Sequence, residues 1–551
     1  MISTAPTAMP RTWGQRVLDA LVTRLERLPP PTTDYTVRRD LRIPTRDGIE
    51  LLADLYEPTA AAGTLLVRSP YGFPALIAAA TGAVYARRGY RVVLARCRGT
   101  FGSGGEFEPM VHEVDDAADT VAWMREQPWF DGRFATVGGS YLGFTQWALL
   151  MDPPPELVTA VISIGPHDFH AAAYQGGAFN LNDFLGWSNQ TGRQEEVGFV
   201  RGLLRGVGAN RQLAEAVREV PLVAAGERLL DGRAPWYRGW ASRRDTDDPF
   251  WSKMRLGDAL DRVEVPVLLQ TGWQDLFLSQ TLEQYERLST RGVDVALTAG
   301  PWTHIGVAVK GSPIIVPETL DWLAEHLGDS GIHTRAAPVK IFVTGANQWR
   351  DLAVWPPPTT AQTFHLQPGG GLGGDPAPAG SEATFTYDPA DPTPSVGGRL
   401  LEPRTGGYKD DRELAARRDV VAFTSATLTA PLEVLGNPAV ELAHASDNPY
   451  ADLFVRVSEV DREGGSRNVS EGFVRLDPES PSGTVHLQLD AVAHRFAAGH
   501  HIRVVIAGGS HPRWERNLGT GDDPATSSRM VPSRRTIDLA PSHLVLPVAS
   551  T

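Results

Sequence analysis

The stretch Phe134-Ala-Thr-Val-Gly-Gly-Ser-Tyr-Leu-Gly143 decides the reading of the fold. Phe134 to Val137 is a short apolar strand, Gly138-Gly139-Ser140 a sharp turn, and Phe144-Thr-Gln-Trp-Ala-Leu-Leu150 the start of a helix. A serine at the crest of a strand–turn–helix unit fits a nucleophile elbow, which holds the hydroxyl exposed on a strained backbone. Neighbours must be small so that strand and helix can approach each other. Gly138, two before the serine, meets that need; two after it stands Leu142, and the glycine comes one later, at Gly143. A glycine-rich turn with a helix-capping serine would look similar, so the elbow needs partners elsewhere in the chain.

Outward from this turn, short apolar strands alternate with amphipathic helices. Thr64–Arg68, Arg91–Ala95 and Val158–Ile164 read as strands, and Leu76–Arg87 and Val114–Glu126 as helices. That rhythm implies an α/β architecture, a parallel sheet covered on both faces. A hairpin precedes it, with Arg46-Asp47-Gly48 as its turn. The rhythm resumes at Val265–Gln270, Val293–Thr298 and the helix Glu318–Leu327. These segments assign residues 35–165 and 262–335 to one domain. Residues 166–261 carry helical pieces and many aromatics, and read as a helical cap inserted over a pocket. Residues 1–34 read as a helical extension, with Val17, Leu18, Leu21, Leu25 and Leu28 on one docking face and Pro29–Pro31 as its stop. From 336 to 551, alternating runs such as Val339–Val343, Leu453–Val457 and Ile502–Ile506 lie between Gly, Pro, Asn and Asp, and predict an all-β sandwich or jelly roll.

A serine nucleophile needs a base, and the base an orienting acid. Both are expected on loops after later strands, in the order serine, acid, histidine. After Val265–Gln270 comes Thr271-Gly-Trp-Gln-Asp275, and after Val293–Thr298 comes Ala299-Gly-Pro-Trp-Thr-His304. Asp275 and His304 are therefore the candidates, with Asp248 and Asp294 as lesser acids. The oxyanion needs donors. One is the amide of Tyr141, immediately after the serine. The loop after Thr64–Arg68 has no run of glycines to aim amides, but it carries Tyr71, whose phenol has donor chemistry; a tyrosine at a strand end also serves packing.

The net charge of −13, with no long basic run, fits a soluble enzyme and argues against a nucleic-acid partner. One cysteine, Cys97, excludes an intrachain disulfide and a cysteine-based metal site; it is expected to be a buried structural thiol. No run of about 18 apolar residues is present, and the N-terminus lacks a signal-peptide pattern. A cytoplasmic protein with no membrane partner, no metal and no cofactor is expected; a homodimer is compatible with the sequence.

Together these pieces resemble the cocaine-esterase-like and X-Pro dipeptidyl-peptidase-like serine hydrolases. The matching segments are Ile43-Pro-Thr-Arg-Asp-Gly48, Ser69-Pro-Tyr71, Arg98-Gly99 through Ser103-Gly-Gly-Glu-Phe107, Gly138-Gly-Ser-Tyr-Leu-Gly143, Gly272-Trp-Gln-Asp275, Gly300-Pro-Trp-Thr-His304 and Gly345-Ala-Asn-Gln-Trp-Arg350. The resemblance spans about residues 35 to 550. It implies an α/β-hydrolase domain with a helical cap, followed by a jelly roll. It also implies a triad of Ser140, Asp275 and His304, and an oxyanion hole of the Tyr71 hydroxyl and the Tyr141 amide. It accounts for Leu142, since this group places its glycine three after the serine. One departure is the run Ala95-Arg96-Cys97-Arg98-Gly99, which lacks the acid that often precedes the Arg-Gly pair and so leaves local ion pairing open.

The aromatic cap suits an apolar or aromatic acyl group, with Phe179, Trp187, Trp251 and Phe277 as candidate substrate contacts. Any of the cap aromatics would equally serve the cap's own core. Relatives that act on α-amino acyl groups hold the ammonium with a cap carboxylate cluster. Asp247-Asp248 offers acids here, although a helix cap or ion pair explains them as well. The expected substrate is a small to medium ester, with amides second. X-Pro dipeptidyl peptidase, α-amino acid ester hydrolase, acyltransferase and a non-catalytic binding protein on the same fold are the alternatives.

Overall fold

The computed structural model describes residues 7–196, 211–328, 333–402 and 404–550. Eleven strands of these residues form one sheet. They are β1 (Met9–Pro10), β2 (Tyr35–Pro44), β3 (Glu50–Pro58), β4 (Gly63–Ser69), β5 (Tyr90–Arg96), β6 (Phe134–Gly139), β7 (Leu157–Ser163), β8 (Val267–Gln274), β9 (Val295–Thr303), β10 (Val339–Val343) and β11 (Gln348–Leu352). Their order is β1-β2-β3-β5-β4-β6-β7-β8-β9-β10-β11. Pairings from β5 across to β10 are parallel, and those at both ends are antiparallel. Every residue of β4 and β8 is buried, as expected where both faces of a parallel sheet are covered.

The helices that matter below are α1 (Trp13–Leu25), α2 (Glu113–Arg125), α3 (Tyr141–Leu149), the cap helices α4 (Leu181–Thr191), α5 (Leu222–Leu230) and α6 (Trp236–Ser242), and then α7 (Leu278–Thr290), α8 (His304–Val309) and α9 (Ser312–His326). Among the described residues no helix is long and apolar enough to cross a membrane.

Two sequence expectations are corrected. By its alternation Val339–Val343 is grouped with the sandwich strands. It instead extends the first sheet, with Val339 opposite Leu297 of β9 and β11 folding back on it. Its alternating buried residues, Val339, Ile341 and Val343, would suit an edge strand of either sheet, so the pattern alone could not assign it. The five apolar residues expected on one face of the N-terminal helix are also split. Leu28 is buried and Leu18 partly so, whereas Val17, Leu21 and Leu25 point outward; Val22 takes the inner position instead.

The missing acid before Arg98-Gly99 is replaced from elsewhere in the chain. Arg96 pairs with Asp40 at 2.7 Å and Asp54 at 2.8 Å, and Arg98 pairs with Asp47 and Asp116 at 2.6 Å each.

Beyond residue 358 the chain is β-rich. Among the described residues, twelve strands run from β12 (Thr359–Gln367) to β23 (Ser533–Ala549). The long β23 is the spine, pairing with β12 and with three further strands, at 382–387, 432–436 and 439–446. The core between its layers includes Phe364, Val434, Leu442, Val455, Val504, Ile537 and Leu544. The fold is an α/β-hydrolase-like domain followed by a C-terminal β-rich domain.

Candidate active site

Ser140 sits between β6 and α3 with φ 60° and ψ −124°, a backbone conformation that costs energy for a residue with a Cβ. The glycines around it are required by close approach. A Cβ on Gly138 would lie 2.6 Å from the Leu142 Cβ, and one on Gly143 would lie 2.5 Å from the Gly165 Cα. Gly165 follows β7, so Gly143 is the point where α3 crosses the next strand's exit. That contact explains why glycine is needed three residues after the serine while Leu142 is tolerated at two.

β8 and β9 are parallel neighbours, and each ends at a polar residue on the same edge of the sheet, where open α/β sheets build their sites. Ser140 Oγ stands 2.9 Å from His304 Nε2, and His304 Nδ1 stands 2.6 Å from Asp275 Oδ1. Asp275 is fully buried and His304 nearly so. The second oxygen of Asp275 accepts from the Phe277 amide at 3.1 Å and the Thr271 hydroxyl at 3.4 Å. The carboxylate is thus fixed from behind, and its free oxygen faces the imidazole. An imidazole held this way keeps its proton on Nδ1 and offers Nε2 to the serine.

Tyr71 follows β4. Its amide donates to Ser69 Oγ at 3.0 Å, and its hydroxyl accepts from Trp187 Nε1 at 3.0 Å. Burial pushes the phenol up to about 12, against the opposing hydrogen bonds with Trp187 and Ser140. The hydroxyl is therefore protonated at neutral pH and, having accepted from Trp187, has its own proton free to donate toward Ser140. Tyr141, as the first residue of α3, has an amide without an intrahelical acceptor. Its side chain points away into a buried network: the hydroxyl donates to Glu113 Oε1 at 2.8 Å and accepts from the Met110 amide at 2.7 Å. Arg68 holds the other Glu113 oxygen at 2.8 Å. Cys97 lies 3.6 Å from that oxygen, and burial followed by the Glu113 charge pushes its thiol well up. It is a structural thiol with no thiolate to offer. The Arg68–Glu113–Tyr141 network escaped the sequence reading because its members lie on three separate elements without a spacing rule.

The four expected substrate contacts divide. Trp187 stacks on Tyr141 with the planes 7° apart and bonds Tyr71. Phe277 lies edge-on to the His304 ring at 5.3 Å. Phe179 and Trp251 are corrected: both are fully buried in the cap's own core. Phe179 packs on Tyr174, Phe184 and Tyr237, and Trp251 on His170 and Phe250, with its indole N–H donating to the Arg243 carbonyl. They are sealed because the cap is a small helical layer that must bury aromatic area of its own.

The remaining acids lie apart from Ser140's partners. Asp248 caps the turn 249–254 through the Phe250 amide and pairs with Arg243, which together hold its carboxyl below the usual range. Asp247 is exposed. Asp294 is exposed near His326. Among the described residues no cluster of metal-ligating side chains is present.

The β-rich domain also approaches these residues. Its residues 398–402 and 404–407 come so close that a Cβ on Gly407 would lie 2.8 Å from the Thr303 side chain, next to His304. The Leu401 amide donates to Asp183 of α4 at 3.0 Å. Asp183 is buried, and that burial raises its carboxyl. Nothing in the local sequence of a loop between strands announces such a reach.

This geometry has relatives. Residues 47–306 match the model of the X-Pro dipeptidyl-peptidase (S15 family), and residues 330–544 match the X-Pro dipeptidyl-peptidase C-terminal non-catalytic domain. The chain is 30% identical over 576 residues to cocaine esterase of Rhodococcus sp. (strain MB1 Bresler), covering 94% of this chain and 99% of that one. A putative serine esterase of Mycobacterium bovis is 26% identical over 74% of this chain and 77% of its own. Among solved structures, an aminopeptidase from a marine sediment Thaumarchaeota archaeon superposes with a TM-score of 0.80 at 21% identity, covering 95% of this chain and 98% of that one. An α-amino acid ester hydrolase superposes with a TM-score of 0.77 at 22% identity, covering 94% and 97%. The fold is shared with both structures, and the full-length match to cocaine esterase places the chain in a family: it belongs to the serine hydrolases of the cocaine esterase and X-Pro dipeptidyl-peptidase (S15) type.

Proposed function

We propose that the protein hydrolyses carboxylic esters through an acyl-enzyme on Ser140, with amides as slower substrates. The observation that carries this reading is the continuous chain from Ser140 Oγ to His304 to Asp275, at 2.9 and 2.6 Å. His304 Nε2 takes the serine proton as Oγ attacks the carbonyl carbon. The carbonyl oxygen becomes an oxyanion, which receives hydrogen bonds from the Tyr71 hydroxyl and the Tyr141 amide. The C–O bond to the leaving group breaks as His304 returns the proton to that oxygen. Water then repeats the cycle on the acyl-serine, with His304 as base, and releases the acid. Asp275 orients the imidazole and stabilises its charged form. No step calls on a metal or an organic cofactor.

An apolar or aromatic acyl group fits best, since Trp187 and Phe277 are the rings beside the reacting atoms and Asp247 and Asp248 are engaged or exposed elsewhere. The likeness to cocaine esterase supports an ester over a peptide. A fluorophosphonate probe is the direct test: one adduct is expected, on the tryptic peptide carrying Ser140, and an unlabelled serine would end this reading.

The oxyanion assignment has its own test. Tyr71→Phe removes the phenolic donor while keeping the ring, and is expected to lower kcat by about 10²–10³ with little change in KM. An unchanged kcat would return Tyr71 to a packing role.

A further inference from the structure

Among the described residues, half of the large hydrophobic side chains that stand exposed belong to one short stretch: Met9, Trp13, Val17, Leu21 and Leu25. The last four recur every fourth residue along α1 and form one stripe. Trp13 is 81% exposed and Leu25 63%. The adjoining side of the helix, with Leu18 and Val22, supplies its packing on the body of the protein. The stripe is therefore surplus to the fold.

The charges beside it are mainly positive. Arg16, Arg24 and Arg27 are exposed around the stripe. Arg24 and Arg27 have no ion partner among the described residues, and Arg16 reaches Asp34 only at 4.0 Å. The one acid within α1, Asp19, faces inward, where it is held by Arg11 at 2.9 Å and the Tyr35 hydroxyl at 3.1 Å. Just past the helix, Glu26 is turned toward Arg88, and burial raises its carboxyl to about 7. A chain of net charge −13 thus presents one apolar stripe flanked by three exposed arginines, with the exposed carboxylate of Asp34 beyond Arg16.

We propose that α1 seats the protein on an anionic phospholipid surface, with Trp13, Val17, Leu21 and Leu25 entering the headgroup boundary and Arg16, Arg24 and Arg27 meeting lipid phosphates. A helix of this kind lies in the plane of the interface. It needs no spanning segment, and the absence of one was the ground for expecting no membrane partner. The acidic remainder of the protein does not cancel the attraction, because charges farther off than the screening length of about 8 Å are largely screened. A second copy of the chain suits the stripe less well. A helix of this length offers a footprint of roughly 20 by 10 Å, far below the ~800 Å² that each partner buries in a stable dimer. Self-association would also bring like charges together.

The test is vesicle flotation of the full-length protein. Phosphatidylcholine vesicles are compared with vesicles that also contain phosphatidylglycerol, at low and high salt. Co-flotation is expected with the anionic vesicles only, and is expected to weaken at high salt. Trp13→Glu combined with Leu21→Glu should abolish it, and Arg24→Glu combined with Arg27→Glu should weaken it about tenfold or more. These positions are exposed, so thermal unfolding and hydrolysis of a soluble ester should match the unsubstituted protein. Absence of flotation, equal flotation with neutral vesicles, or binding that survives the Trp13/Leu21 change overturns the proposal. So does a dimer in light scattering that the same change converts to monomer.

Discussion

Replacing Ser140 with alanine is expected to lower kcat on an activated ester by about 10⁶-fold. The size follows from what remains. His304 and Asp275 have no nucleophile to activate, so the acyl-enzyme route is closed. In the proposed oxyanion hole the Tyr71 hydroxyl and the Tyr141 amide would still meet a bound carbonyl, and donors of this kind preserve roughly 10³–10⁴-fold catalysis over water. The substitution should be silent for folding. The backbone at φ 60° already carries a Cβ, and the Ser140 amide keeps its bond to the Ser163 carbonyl at 2.9 Å. The measurement is steady-state hydrolysis on protein whose thermal unfolding matches the parent. A residual kcat within tenfold of the parent would show that the chemistry lies elsewhere.

The second large effect is expected at Asp275. An asparagine there is isosteric, and its side-chain oxygen can keep the bonds from the Phe277 amide and the Thr271 hydroxyl. Keeping them turns the new NH₂ group toward His304 Nδ1. That nitrogen must then act as acceptor, so the ring proton moves to Nε2, the atom that has to receive the serine proton. The base is present in the wrong tautomer, and kcat should fall about 10⁴-fold at neutral pH. If both residues act through the proposed proton relay, the Ser140→Ala/Asp275→Asn pair should be no slower than Ser140→Ala alone. Additive losses would show that Asp275 acts independently of Ser140.

Much of this arrangement is legible in the sequence, for physical reasons. The parallel strands are continuous apolar runs because both sheet faces are covered, and Asp275 and His304 stand out because each follows such a run directly. Gly143 was visible as an irregularity; its cause, the contact with Gly165, needs three dimensions. What stayed hidden depends on which of two similar surfaces a residue meets. Phe179 and Trp251 are aromatic like Trp187, yet they fill the cap rather than face Ser140. Val339–Val343 alternates like the sandwich strands but pairs with β9. On α1, apolar residues occupy more than one side, and only the packing shows that Val22 faces in while Leu21 faces out.

Residues 398–402 and 404–407 belong to the β-rich domain, yet Gly407 abuts Thr303 and Leu401 is tied to the cap by Asp183. The same arrangement makes the two halves of the chain an inseparable inheritance. A gene fragment ending at the hydrolase sheet would lack the residues that abut Thr303 and hold Asp183.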